Sequence, residues 1–488
     1  LEFQQRSNNF KVPMQSRREF LRISSFGSIA CALGYDRAVG QTLKKVQAQP
    51  VFLTPDSKGY HSARQLFNSR LNLRPKVVAV CKNEAEVAAA VAKAHGNGMQ
   101  VTVKSGGHSF EGFSSNNGGM MLDLSAMKNL TYHAKERTLT AQPGCKLAEV
   151  GDLLFPKGRL LPSGSCAGVG VAGLTLGGGY GLFARKHGLT CDHLTGVRMV
   201  DGCGKVHDSD QMPDLLKACR GGGNGNFGII TELRFRTVPA PGTFRSQRIR
   251  FRKLSPDQVG ELADLWFAAT EKLPGDVFSA FVLNGSSLTV LVTFFNPVSL
   301  RVITDRFKPM VQRAWKSEPV HIAPTQRAIK RYYGRPGPLP FKNASAGFYK
   351  SYKDIAEVMP KVAKQVAEVS GTVWQVNTLG GRINSRDYAA VSVYPHRSYP
   401  WLGEIQGYWD KKSRAETGIE NVQKVQKIFA DAGVTAHYRN YPDMGFKDWE
   451  KSYYGEEGLD LIRSMKQKYD PSNTIRHPQS VRLKSFSE

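Results

Sequence analysis

The sequence predicts an α+β chain built as two domains, and three observations carry that prediction. Residues 77–80 (Val-Val-Ala-Val), an alanine-rich stretch over 84–94 and residues 101–103 (Val-Thr-Val) read as strand, helix, strand. Residues 278–283 and 288–293 read as two further strands joined by Asn284-Gly285, a hairpin turn signal. Between these regions Pro239-Ala240-Pro241-Gly242 breaks the pattern and marks a boundary. A chain of 488 residues exceeds one ordinary core, and 41% hydrophobic residues can fill a sizeable interior.

Taken in order, 41–75 is a polar lead-in. Gly96-Asn97-Gly98 ends the first helix, and the strand at 101–103 delivers the chain to a glycine turn. Residues 120–124 and 138–141 read as strands, 146–154 as a short helix, and 229–238 as the strand that closes the first region. After Gly242 the texture changes to antiparallel strands interleaved with helices over 257–269 and 354–369, with a strand expected at 391–394. The expected domains are 41–242, 243–433, and a return of the chain to the first domain over 434–488.

Before these lies Ser16-Arg17-Arg18-Glu19-Phe20-Leu21-Arg22, a twin-arginine export signature. A short apolar stretch over 23–33 follows, and Ala38-Val39-Gly40 offers a cleavage site. With Met14 as the start, a signal peptide over 14–40 and a periplasmic or secreted destination are expected. No apolar run reaches the ~18 residues a spanning helix needs. The formal net charge is +26; cleavage after Gly40 removes six Lys/Arg and three Asp/Glu, leaving +23. That balance favours anionic partners such as cell-envelope polymers. The segment 301–365 alone holds fourteen Lys/Arg against four Asp/Glu, more simply a solvated basic face, and no nucleic-acid motif accompanies it.

Two glycine-rich turns carry the chemistry. The first is Val103-Lys104-Ser105-Gly106-Gly107-His108-Ser109. The second, 58 residues on, begins Gly164-Ser165-Cys166-Ala167-Gly168-Val169-Gly170 and runs through Gly173 to Gly177-Gly178-Gly179. Glycine admits φ > 0 and lets backbone N–H groups approach an anionic pyrophosphate. One turn ends in a histidine and the other opens with a cysteine, both nucleophiles toward an electron-poor ring. Gly168-x-Gly170-x-x-Gly173 with Asp192 beyond it formally matches a Rossmann fingerprint. It follows a turn at Leu161-Pro162-Ser163 rather than a strand, which argues against that fold. His187, Cys191 and His193 sit close together, yet lack a Cys-x-x-Cys and a fourth ligand, so no metal is expected.

The motifs taken together resemble the berberine bridge enzyme-like flavoproteins of the vanillyl-alcohol oxidase, PCMH-type FAD-binding superfamily. Asp192, the run 197–202, Arg220-Gly221-Gly222-Gly223-Asn224-Gly225-Asn226-Phe227-Gly228, Tyr394-Pro395-His396-Arg397, Tyr438-Arg439-Asn440-Tyr441-Pro442-Asp443 and Tyr469-Asp470-Pro471 follow in the family's order. The resemblance spans about 74–481 and departs at Glu456-Glu457-Gly458. It implies a FAD-binding domain with a substrate domain of antiparallel sheet backed by helices. It also implies FAD attached twice, through His108 and Cys166. Ser105, Gly106, Gly107, Ser109, Gly170, Gly173, Gly178, Gly179, Asp192, Phe227, Gly228, Ile230 and Asn440 are its further cofactor-binding positions.

The implied activity is oxidation of an alcohol or hemiacetal on a small-molecule or oligosaccharide substrate, by hydride transfer to flavin N5 and reoxidation by O2 to H2O2. Tyr441 is the implied general base and Gln406 a substrate-orienting residue. An ordinary phenol has a pKa of ~10, so a neighbouring cation or donor is expected to favour phenolate. Val169 stands where family oxidases carry valine, which implies oxygen access. Tyr332, Tyr333, Trp374, Trp401 and Trp409 could offer sugar-stacking surfaces. Two other readings stay open: oxidative cyclisation or dehydrogenation of a small aromatic metabolite, and a flavin-bearing envelope-binding protein without turnover.

Overall fold

Strand β1 (Val51–Leu53) pairs antiparallel with β2 (Val77–Val80), and β2, β4 (Met120–Asp123) and β3 (Val101–Lys104) continue in parallel. This small sheet opens the computed structural model, which describes residues 49–483. The twin-arginine segment and the expected cleavage site lie outside those residues. Helix α1 (Glu84–Gly96) crosses between β2 and β3. Asn83 caps it by accepting from the Glu86 N–H at 3.0 Å. Val87, Ala90, Val91 and Ala94 form its buried stripe.

A second, antiparallel sheet follows in the order β5 (Leu130–His133), β6 (Thr138–Ala141), β9 (Ile229–Arg236), β7 (Leu194–Val200), β8 (Val206–Asp208). Helix α2 (Leu147–Leu154) packs with it, and α3 (Val171–Leu176) starts directly behind the second glycine turn. No strand feeds that turn except the two-residue pair Arg159–Leu160 with Val238–Pro239, so the glycine string lacks the βαβ setting of a Rossmann site.

The third sheet is antiparallel, in the order β10 (Thr243–Phe251), β12 (Ser287–Phe294), β11 (Val277–Asn284), β14 (Thr372–Thr378), β15 (Trp401–Tyr408), β13 (Phe341–Tyr349), with short strands at 316–317 and 321–324 on the β10 edge. The hairpin turn falls at Asn284-Gly285, where Gly285 takes φ 56°. One face is covered by helices α4 (Pro256–Thr270), α5 (Ser299–Arg313), α6 (Met359–Glu368) and α7 (Ala415–Asp431). Phe281, Val376, Trp374 and Ile405 point into that core, while alternation sends Asn377, Glu404, Gln406 and Tyr408 to the opposite face.

Three expectations change. Residues 391–394 form a loop: Val393 N–H bonds the Arg220 carbonyl at 3.1 Å, and Tyr394 packs its ring against Gly178 and its backbone against Gly221 instead of a strand. Pro395 follows at once and denies a ladder bond. The helix expected over 354–369 begins only at Met359, preceded by 3₁₀ turns, because Pro360 fixes the first helical turn. Trp374 and Trp401 are buried on the helix side of the sheet, Trp401 donating to Thr270 Oγ1 at 2.9 Å, so neither offers a sugar platform.

Helix α8 (Trp449–Tyr469) carries the Glu456-Glu457-Gly458 departure. Gly455 breaks it with φ 62°, ψ −178°, packing on Pro395, so the departure falls directly after a kink. Among the described residues no helix is long and apolar enough to cross a membrane.

Candidate active site

A cavity of about 1820 Å³ is walled by both glycine turns on one side and by the open face of the third sheet on the other. Pockets for drug-sized ligands run to roughly 300–1,000 Å³, so this space has room for a large cofactor together with a substrate. The two turns are packed onto one another. A Cβ on Gly170 would lie 2.6 Å from the Gly106 nitrogen, and one on Gly106 would lie 3.2 Å from the Gly168 carbonyl oxygen. Gly107 takes φ 69°. Backbone bonds from Leu147 N–H to the Val169 carbonyl (3.0 Å) and from Val171 N–H to the Cys145 carbonyl (2.9 Å) fix the second turn to the segment leading into α2.

His108 lies flat against Phe67, with centroids 3.9 Å apart and planes 17° apart. Its Nε2 lies against the Gly168 backbone, where a Cβ would come within 3.0 Å. Burial, and then the Lys146 ammonium, pull its pKa down to about 4, so the imidazole is neutral and nucleophilic at neutral pH. Cys166 is exposed, but into the cavity. Desolvation, then the charge of Glu404, push its thiol up.

Opposite these turns, β15 presents Glu404, Gln406 and Tyr408 on its cavity face. Glu404 is buried beside Gln406 and Tyr441, whose polar groups favour its charged form, and it accepts from Asn343 Nδ2 at 3.3 Å. Burial outweighs those contacts and raises its pKa to about 7. The Tyr441 and Tyr180 hydroxyls bond one another, and Asn377 Nδ2 donates to Tyr180 Oη at 3.1 Å. Phe110 stacks on the Tyr441 ring at 5.3 Å and 11°. The phenol of Tyr441 sits well above its ordinary pKa, first through burial, then through Glu404 and Tyr180. This reverses the expected environment: Tyr441 faces a carboxyl and another phenol, not a cation. Glu404 escaped the sequence reading, although its strand alternation with Gln406 could have placed both on one face.

Of the expected cofactor positions, Ser105, Gly106, Gly107, His108, Ser109, Cys166, Gly170, Gly173, Gly228, Ile230 and Asn440 line the cavity, as do Val169, Gln406 and Tyr441. Four others lie away from its wall. Asp192 is buried in an ion pair with Arg397 (2.6 Å) and accepts from Leu189 N–H (2.8 Å), so it braces the loop before β7. Phe227 fills the core beneath the second sheet. Gly178 and Gly179 have φ 117° and 83° and are crowded by Tyr394 and Thr190; the Gly179 N–H bonds Tyr438 Oη at 2.9 Å. Near His187 and Cys191, His193 Nε2 bonds the His187 carbonyl at 2.9 Å, and no three His, Cys, Asp or Glu converge as a metal site among the described residues.

The wall suits FAD. Asn224 and Asn343 each carry a buried side-chain oxygen without a partner, and both residues line the cavity. The glycine turns bring backbone N–H groups and a neutral imidazole to the same space.

Comparison with known proteins agrees. Residues 75–210 match an FAD binding domain model, and residues 437–482 match the berberine and berberine-like model. The FAD-linked oxidoreductase YgaK of Bacillus subtilis is 28% identical, over 90% of this chain and 98% of that protein. A chitooligosaccharide oxidase of Gibberella zeae is also 28% identical, over 88% of this chain and 92% of its own length. Among solved structures, Physcomitrella patens BBE-like 1 superposes with a TM-score of 0.81 at 22% identity, covering 89% of this chain and 97% of that one. A cofactor-sized cavity between two interlocked glycine turns and an antiparallel sheet, seen alongside these matches, marks the chain as an FAD-linked oxidoreductase similar over most of its length to berberine bridge enzyme-like proteins.

Proposed function

We propose that the chain is an exported oxidase that removes hydrogen from a CH–OH group of a carbohydrate-like substrate and passes the electrons to O2, giving H2O2. The observation that carries this reading is the placement of the buried Glu404 carboxyl beside the Tyr441 phenol at the cavity wall. Bound FAD would supply the two-electron acceptor, held by the two glycine turns and linked through His108 and Cys166. The chain's own task is to place the hydroxyl and take its proton.

Tyr441 is protonated at neutral pH, so it accepts the substrate's proton only by handing its own to Glu404. Glu404 titrates at about 7, close to working pH, where a general base is most effective. Tyr180 and Phe110 hold the Tyr441 ring and hydroxyl in place. Gln406, beside Glu404, orients the substrate. Asn284, Gln375, Asn377 and Trp409 also line the cavity, a mixture of amides and an aromatic face that suits vicinal hydroxyls on a sugar. Val169 at the wall supports oxygen as acceptor. Export rests on the twin-arginine segment, and the large positive charge supports residence near anionic envelope polymers.

A panel of oligosaccharides, simple alcohols and phenols, scored for flavin bleaching and peroxide release, tests the reading. Sugars should bleach the flavin and release peroxide on reoxidation in air. Bleaching by phenols alone would shift the assignment to oxidation of small aromatic metabolites. No bleaching by any compound would favour a binding protein.

A further inference from the structure

Phe67 belongs to none of the glycine motifs, yet its ring covers one face of the His108 imidazole at 3.9 Å and 17°. The backbone on both sides of it is fixed. The Phe67 N–H donates to the Gly107 carbonyl at 3.0 Å, inside the first glycine turn. The Phe67 carbonyl accepts from the Leu339 N–H at 3.1 Å. Asn68 donates to the carbonyls of Phe110 and Phe341 at 2.9 and 3.0 Å. At the Nε2 edge of the imidazole, the Gly168 position would carry a Cβ only 3.0 Å from His108 Nε2. The ring is therefore held by a stacked phenyl and a backbone with no side chain. Its rotation about χ2 is restricted, and Nε2 faces the Gly168 backbone.

We infer that Phe67 is a positioning residue for covalent flavin attachment, fixing the plane of His108 so that its free ring nitrogen meets the flavin 8-methyl carbon. The inference rests on the reading that His108 is a linkage site. In the step, the methyl group and the imidazole each lose a proton and a C–N bond forms between them. The electron pair released passes to the flavin ring and then to dioxygen, which leaves as hydrogen peroxide. Holding the nucleophile in a near-attack geometry is where an enzyme gains rate without adding a functional group. A leucine at 67 would fill similar space but leave the imidazole free to turn.

The test is peptide mass spectrometry of purified holoprotein, which measures the fraction of His108 carrying flavin. Cys166, whose link does not depend on the imidazole plane, serves as the internal control. Phe67→Leu should lower the His108-linked fraction several-fold while the Cys166-linked fraction and the total FAD content stay at parent levels. Phe67→Tyr keeps the stacked ring and should link His108 as the parent does. Full His108 linkage in Phe67→Leu would overturn the role of Phe67 and leave the linkage site intact. Unmodified His108 in the parent would overturn both. Equal loss of His108 and Cys166 linkage in Phe67→Leu would also count against the inference, since it would show a general failure to hold FAD.

Discussion

The Tyr441 hydroxyl bonds the Tyr180 hydroxyl and lies within the field of the buried Glu404 carboxyl, so one phenol sits between two buried groups of different acidity. Burial keeps both phenols protonated at neutral pH, whereas the carboxyl titrates at about 7. On the proposed function, Glu404 is the net sink for a substrate proton and Tyr441 the group that touches the substrate.

Glu404→Gln keeps the size of the side chain and removes its basicity. Flavin reduction by substrate should slow by about 10²-fold or more, the range for general-base loss, with FAD content unchanged. The pH dependence has a fixed sign. Burial raises Glu404 to about 7, so the basic form is absent well below that pH and present above it. Reduction by the parent should accelerate as pH rises through about 7, and Glu404→Gln should flatten that limb. Stopped-flow reduction across the pH range reads both effects; a parent profile that falls with rising pH would exclude a carboxylate base.

Tyr441→Phe and Tyr180→Phe should separate contact from orientation. Losing the Tyr441 hydroxyl breaks the path to Glu404 and should slow reduction by about 10²-fold. Losing the Tyr180 hydroxyl removes one hydrogen bond from Tyr441, worth ~0.5–1.5 kcal/mol, and should slow it no more than roughly tenfold. Equal effects of the two substitutions would make Tyr180 a direct participant.

The glycine turns were readable because their function demands residues that nothing else explains: interlocked backbones at Gly106 and Gly170 leave no space for a Cβ. The hairpin at Asn284-Gly285 and the stripe of α1 were readable for the same local reason. Strand β13 was not. Its sequence, Phe-Lys-Asn-Ala-Ser-Ala-Gly-Phe-Tyr, is poor in β-branched residues and every position is buried. Its polar residues serve long-range partners: Lys342 pairs with Glu111 and Asp443, and Asn343 reaches Glu404 and Tyr408. Glu404 was hidden similarly, since only tertiary burial gives its carboxyl the acidity that marks it. Asp192 shows the reverse error. Its motif position suggested cofactor contact, but its partner Arg397 stands 205 residues away in sequence.

The Asp192 correction has its own test. Asp192→Asn leaves the Arg397 guanidinium buried and unpaired, and breaking such a pair costs ~3–5 kcal/mol. The thermal midpoint should fall markedly, while the flavin spectrum and linkage of the folded fraction stay as in the parent. Loss of FAD from an otherwise stable variant would restore Asp192 to the cofactor site.

Covalent attachment is checked by denaturing the protein and asking where the colour goes. The parent should keep its flavin in the acid precipitate. His108→Ala and Cys166→Ala should each leave one link, and the double substitution should release FAD into the supernatant. The neutral imidazole, with a pKa near 4, makes the histidyl link insensitive to pH above about 5. The raised thiol pKa of Cys166 makes its link form faster as pH rises, because only thiolate attacks. Flavin that leaves the denatured parent completely would exclude both links.

Val169 tests the electron acceptor. It lines the cavity and packs partly buried against the core beneath the second sheet, with its N–H bonded to the Cys166 carbonyl at 3.4 Å. Its side chain thus sits on the same short turn as the thiol expected to hold the flavin. A small side chain there leaves room for oxygen beside the reduced ring, and one added methylene can fill such a gap in a close-packed interior. Chemically reduced parent protein should reoxidise rapidly in air and release hydrogen peroxide. Val169→Leu should slow reoxidation selectively, with reduction by substrate little changed, because the proton path through Tyr441 and Glu404 is supplied by other segments of the chain. Stopped-flow mixing of each reduced protein with oxygenated buffer measures the step directly. If the parent reoxidises sluggishly in air but quickly with a quinone or dye, the acceptor is not oxygen and the enzyme is a dehydrogenase.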